Sequence, residues 1–203
     1  TVLLGSPARS AISVTPAGDG VLFMRSSSPR SFVLDLWLYD IASGQERVLL
    51  TADQVLGGGK ENLTPEELAR RERMRLSSRG IVSYELSEDG TRLIVPLSGR
   101  IFQVDLATKG GPQVKELKGG AGYPLDPRLS RDGTKLACVR DGDLYVFDLP
   151  TGVEQRLTTR PEGKAGETIT HGLAEFAAQE EMDRFQGYWL SPDAKWIAYQ
   201  RTD

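Results

Sequence analysis

The 203-residue chain carries 25 Lys and Arg against 28 Asp and Glu, a net charge of −3, and 39% of it is hydrophobic. That is ordinary globular composition, enough to bury a core. It offers no broad basic field for nucleic acid and no apolar run of the roughly 18 to 20 residues that a helical membrane span needs. The one cysteine, Cys138, sits in the apolar stretch Leu136-Ala137-Cys138-Val139, which excludes an intrachain disulfide and reads as a small buried residue. Thr1 opens the chain without a Met or a basic and apolar leader, which reads as a processed or trimmed start and leaves export open.

In chain order, the first predicted element is a turn feeding an alternating apolar strand, over Thr15 to Phe23. The design returns at Ser87 to Val95, Ser130 to Cys138 and Ser191 to Tyr199. The Asp-Gly pairs at 19–20, 89–90 and 132–133 are tight-turn signals, since Gly tolerates the positive φ such turns need. A second signature follows the first three turns: Leu36 to Gly44, Ile101 to Thr108 and Leu144 to Gly152 each read as a strand ending in Asp, an apolar residue and a turn. An outer strand comes next, such as Glu46 to Leu50 or Glu154 to Leu157. Four short antiparallel strands per unit make a β-propeller blade.

Spacing tests that reading. Ser87 and Ser130 are 43 residues apart, one blade's length, whereas Thr15 to Ser87 is 72 and Ser130 to Ser191 is 61. Each long interval holds a predicted helical insertion, at about 61–79 and about 168–186. The first helix runs from Thr64 to Arg75, with Thr64 as N-cap, Pro65 at the first helical position and Glu67 completing a capping box. Acids open it and arginines close it, which complements the macrodipole and is explained by a solvated charged helix alone. Gly57-Gly58-Gly59-Lys60-Glu61 lacks the spacing and the Ser or Thr of a phosphate loop and reads as a linker into this helix. Asn62-Leu63-Thr64 fits the glycosylation acceptor pattern, a weak signal.

The second insertion, Thr170 to Trp189, is a short polar helix carrying Glu180 and Glu181. Adjacent helical residues lie about 100° apart, so the two carboxylates do not pair along one face, yet both can lean toward a common point suited to a cation. A solvated surface helix would explain Glu-Glu alone. Asp183 and Arg184 read as local braces. His171 is the only histidine, and no Gly-x-Ser-x-Gly turn occurs, so the chain holds no serine-hydrolase triad.

The stretch HGLAEFAAQEEMDRFQGYW resembles the double-glutamate segment of the dipeptidyl peptidase IV family in its bacterial form, with Leu190 where relatives commonly carry a second Trp. Arg71-Glu72-Arg73-Met74-Arg75-Leu76 followed by Gly80-Ile81-Val82-Ser83-Tyr84 resembles the arginine-bearing insertion of the dipeptidyl peptidase 8 and 9 branch. The resemblance implies an all-β fold: blades of four antiparallel strands with two short helical insertions, part of an eight-bladed propeller. It implies an α/β-hydrolase catalytic domain outside this chain, which supplies Ser, Asp and His. Glu180 and Glu181 would grip the free amino terminus of a peptide. Arg75 would reach a substrate backbone carbonyl, with Arg71, one turn earlier on the same face, as the alternative.

By the same resemblance, the whole enzyme removes amino-terminal dipeptides with Pro, or less well Ala, in second position. It forms a homodimer and lies in the bacterial periplasm or outside the cell, with the cytoplasm not excluded. His171 resembles a structural residue of the family. No cofactor and no metal are expected, as no Cys or His cluster has metal-ligand spacing. Since the chain stops just after the first hairpin strand of its fourth unit, it is expected to be a fragment. Two other readings compete: a noncatalytic propeller that serves as an interaction platform, and another peptidase of the prolyl oligopeptidase superfamily that need not recognise a free amine.

Overall fold

Each repeat begins where a hydroxyl closes a turn. In the computed structural model, which describes residues 12–28, 30–63, 65–73 and 77–203, Ser87 Oγ donates to Asp89 and accepts the Arg92 N–H. Ser130 does the same with Asp132 and Lys135, and Ser191 with Asp193 and Trp196. The Gly90 and Gly133 amides close their turns onto the carbonyls of Ser87 and Ser130. The first turn keeps this pattern but shifts its glycine: Gly18, with φ 71°, takes the closing position, and Gly20 already belongs to the strand. The Asp19-Gly20 pair therefore does not make the turn that its sequence suggests. In the fourth turn Ala194 occupies the same left-handed position, with φ 54°.

The turns connect sheets of the expected kind. The first sheet runs β1 (Ser13–Val14), β2 (Gly20–Ser26), β3 (Val33–Asp40) and β4 (Gln45–Leu50), neighbours antiparallel. Two helices follow, α1 (Ala52–Leu56) and α2 (Pro65–Arg73), then a short strand β5 (Arg79–Gly80). The second sheet is β6 (Glu85–Leu86), β7 (Arg92–Leu97), β8 (Arg100–Asp105) and β9 (Gln113–Leu117). The third is β10 (Leu125–Leu129), β11 (Lys135–Arg140), β12 (Asp143–Asp148) and β13 (Val153–Arg156). After α3 (Lys164–Glu167), β14 (Thr170–His171) and α4 (Phe176–Glu181) come β15 (Tyr188–Leu190), β16 (Ile197–Tyr199) and β17 (Arg201–Thr202). β15 pairs with β16, and β14 pairs with β17.

The chain divides into two units, Thr1–Glu116 and Leu117–Asp203. In the first, the inward residues of two sheets share one core: Leu22, Met24 and Leu36 of the first sheet with Leu93, Val95 and Val104 of the second, closed by Val55 and Leu56 of α1. In the second, Ala137, Val139 and Leu144 of the third sheet pack with Tyr188 of β15, and Leu190 and Ile197 sit against the same cluster. The Tyr188 hydroxyl shares its proton between the carbonyls of Asp126 and Ala137, so the phenol is satisfied although fully buried. Leu190, the departure noted in the sequence, packs into this cluster. Cys138 is buried, and burial pushes its thiol up to about 12, which leaves an inert core residue.

Two features were not foreseen. Thr51 and Gln54 form a reciprocal capping box that starts α1, and Gly57 ends it in the left-handed region. The Thr-x-x-Gln spacing carried that signal. β5 adds a parallel pair to β3, Val33 with Arg79 and Leu34 with Gly80, on the stretch of β3 that β4 leaves uncovered. Only glycine fits there, because position 80 has φ 75° and a Cβ would lie 2.5 Å from the Leu34 carbonyl oxygen.

Candidate functional site

The first insertion is tied down by its own charges. Glu61 lies at the end of the glycine linker, and its carboxylate takes the Arg71 guanidinium at 3.2 Å on one oxygen and the Gly80 N–H at 2.9 Å on the other. Arg71 also donates to the Ser78 carbonyl at 3.0 Å. Side-chain exposure is only 6% for Arg71 and 15% for Glu61, so the pair works in a weakly screened setting. The segment leading into α2, the last turn of α2 and the return strand are thereby fastened to one another through one carboxylate. Arg71 is thus occupied within the insertion. Arg75 and the capping residue Thr64 lie outside the described residues.

The second insertion is a loop pinched at its base. Leu173 and Gln186 make a β-bridge, and the Gly172 N–H bonds the Gln200 carbonyl. A Cβ on Gly187 would lie 2.7 Å from the Ala174 nitrogen and 2.7 Å from the Gly172 carbonyl carbon, so the two limbs meet only because position 187 has no side chain. Between them α4 turns once and stops. The N–H groups of Met182 and Arg184 both close onto the Ala178 carbonyl, and Asp183 takes a left-handed φ of 51°. The Arg184 guanidinium holds the Gln186 carbonyl and the Gln200 side chain, so it braces the return limb rather than the helix.

Glu180 and Glu181 are the last two residues of α4 and both are exposed. Among the described residues neither carboxylate has an ion-pair partner. No base occupies the last turn of α4, where the helix end is already negative. Two acids at that end oppose the local field rather than relieve it. A site of this kind gains most from a bound cation.

The base of the loop reaches back into the third sheet through a buried carboxylate. Asp143 is 1% exposed. It accepts from Arg156 Nη2 at 2.6 Å, Thr158 Oγ1 at 2.8 Å, the Arg160 N–H at 3.3 Å and His171 Nδ1 at 2.9 Å. Burial works to raise this carboxyl's pKa, but the bonds from Arg156, Thr158 and His171 outweigh it and hold the group below its ordinary value. The His171 N–H bonds the Gly142 carbonyl at 2.7 Å, and its ring meets Tyr199 edge-on at 5.6 Å. His171 is therefore built into the base of the loop, as a structural residue would be. Nothing local in the sequence flags Asp143, because its partner lies 28 residues away. Among the described residues no group of three or more His, Cys, Asp or Glu side chains is placed to hold a metal ion. None of their helices is long and apolar enough to cross a membrane.

A family model described as the dipeptidyl peptidase IV N-terminal region matches residues 87–203, which include both limbs of the glutamate loop. Dipeptidyl peptidase 8 of Homo sapiens is 29% identical over 148 residues, covering 64% of this chain and 16% of its own length. The Mus musculus dipeptidyl peptidase 8 is 27% identical over 148 residues with the same coverage. The crystal structure of Porphyromonas gingivalis dipeptidyl peptidase 4 matches with a TM-score of 0.62 at 21% identity, covering 98% of this chain and 26% of that one, a likeness of fold. The chain spans about one sixth of the length of these curated relatives.

Proposed function

Because the chain belongs to the dipeptidyl peptidase IV family through its N-terminal region, we propose that it is the substrate-positioning propeller part of a serine exopeptidase that releases amino-terminal dipeptides with Pro or Ala in second position. The observation that carries this reading is the pair of exposed carboxylates of Glu180 and Glu181, without an ion-pair partner among the described residues, at the carboxyl end of a helix held on a pinched loop. A dipeptidyl exopeptidase must count two residues from a free amine. Two carboxylates that accept hydrogen bonds from an ammonium and cancel its charge do this, and an acylated terminus offers them nothing.

Arg75 is assigned to the substrate's backbone carbonyl, since a guanidinium presents several fixed donors to such oxygens. Arg71 braces the insertion through Glu61 and leaves that role to Arg75. The nucleophilic serine with its His and Asp belongs to an α/β-hydrolase domain beyond this chain, where an acyl-enzyme forms and is hydrolysed. The propeller holds the scissile bond against that serine, and such positioning can supply several kcal/mol of barrier reduction.

The test uses the full-length protein with Gly-Pro-p-nitroanilide and its amino-acetylated form, beside a variant with Glu180→Ala and Glu181→Ala. The expected result is rapid cleavage of the free-amine substrate alone and a loss of kcat/KM of about 100-fold in the variant, roughly 2.7 kcal/mol. Equal cleavage of both substrates points to a peptidase of different specificity, and no cleavage by the intact protein points to an interaction platform.

A further inference from the structure

We infer that the buried Asp143–His171 hydrogen bond is a positioning device: it fixes the loop that carries Glu180 and Glu181 to the third sheet, and so sets where the carboxylates stand for the substrate's amine. The inference deepens the proposed function and rests on it for its kinetic consequence, though not for its structural one.

The argument begins with the loop's supports. Its return limb is held by Arg184, Gln186 and Gln200, all within the loop or the strands that follow it. Its leading limb joins β14, only two residues long, whose pairing with β17 also involves strands that follow the loop. These contacts make the loop consistent with itself; on the preceding sheet its return limb is located by Tyr188, whose hydroxyl meets the Asp126 and Ala137 carbonyls, and its leading limb must find a hold of its own. His171 makes that connection twice, by its main-chain N–H to Gly142 and by Nδ1 to Asp143.

The carboxylate is a firm anchor because its other donors come from elsewhere. Arg156 closes β13, and Thr158 and Arg160 follow it. The Thr158 hydroxyl also accepts the Leu144 N–H at 2.9 Å. Asp143 is thus pinned to its own sheet before His171 arrives. An ionised carboxylate can only accept, so the proton of this bond sits on His171 Nδ1. The ring is then fixed in orientation by that bond and by the edge of Tyr199. Gly172 follows immediately with φ 81°, packed over the Leu144 side chain, so the direction in which the loop departs is set within one residue of the anchored ring. A ring that tilts would swing the loop at its root, and a small misplacement of a positioning group has large kinetic effects.

His171→Phe keeps a ring against Tyr199 and removes the N–H, whereas His171→Asn keeps an N–H donor near the place of Nδ1. In the full-length protein, His171→Phe is expected to raise KM for Gly-Pro-p-nitroanilide about tenfold while kcat stays within about threefold of the parent. Amide hydrogen exchange over residues 174–186 is expected to quicken. His171→Asn is expected to restore KM to within about threefold. Faster exchange in His171→Phe combined with no effect of the Glu180→Ala, Glu181→Ala double change upholds the anchor and overturns the amine-binding reading instead. Unchanged KM and unchanged exchange in His171→Phe overturn the inference, as does a fall in kcat that matches the rise in KM and is not rescued by His171→Asn.

Discussion

In the first insertion, Arg71 and Arg73 close α2, and the buried Glu61–Arg71 pair ties the whole excursion together. In the second, Glu180 and Glu181 close α4, the N-cap Glu175 makes no side-chain capping bond, and no base sits in its last turn. One insertion places arginines where the helix field favours them and pairs a key one; the other places like charges where the field opposes them and, among the described residues, gives them no ion-pair partner. The difference separates charge that serves the fold from charge held for something outside it. A chain that satisfies local rules in one helix and breaks them in the next points to its working residues at the break.

The comparison can be broken most forcefully from the first insertion. Arg71→Met would leave Glu61 a part-buried acid without a counter-charge, held by the Gly80 N–H alone, at a cost of about 3 kcal/mol, read as a lowered denaturation midpoint of the full-length protein. If Arg71 instead served substrate, the loss would appear in KM with stability intact.

The same test applied to the second insertion should give the opposite pattern. Glu180→Gln with Glu181→Gln is expected to lower kcat/KM on a free-amine dipeptide substrate by about 100-fold, while thermal unfolding is unchanged or shifts upward by the equivalent of no more than about 1 kcal/mol. A large loss of stability would mean that these carboxylates support the fold after all.

Next in size is the root of the loop. Gly187→Ala places a methyl group against the backbone of Gly172 and Ala174. It is expected to cost about 1–3 kcal/mol in chemical denaturation and to raise KM more than it lowers kcat. Equal losses in both would place its effect beyond the loop.

The smallest effect concerns acid. The Asp143 carboxyl is held below its ordinary value of about 3.8 in the folded chain, so the unfolded chain takes up its proton first as pH falls. The stabilisation is therefore complete above about pH 4 and drains away as pH drops through the folded value. Asp143→Asn should lower stability at neutral pH and flatten the acid limb of the stability profile below pH 4, measured by denaturation across pH 2–7.

Legibility differed with the range of the interactions. The blade units could be read because the Asp-Gly pairs and the two-residue alternation act within a few residues, while the bonds by which Ser87, Ser130 and Ser191 close their turns came only with the structure. The Asp19-Gly20 turn failed because Gly18, two residues earlier, can also take positive φ, and one turn cannot use both. For the glutamates, residue types alone fit a solvated helix equally well, and only the resemblance over the flanking residues singled them out. Arg71 and Arg75 share a helix face in the sequence; the contact with Glu61 is what commits Arg71 to the insertion.

By itself the sequence determined the repeating four-stranded units, the two insertions between them, the family, and the absence of a serine-hydrolase triad from this stretch, since each depends on local pattern or on which residues are present. Only the tertiary structure decided that β5 fills the uncovered part of β3, that Glu61 reaches Arg71 and Gly80, and that Asp143 holds His171 at the root of the glutamate loop. Those pairings join residues distant in the chain, and which donor meets which buried carboxylate is settled by packing and desolvation, quantities that no run of neighbouring residues records.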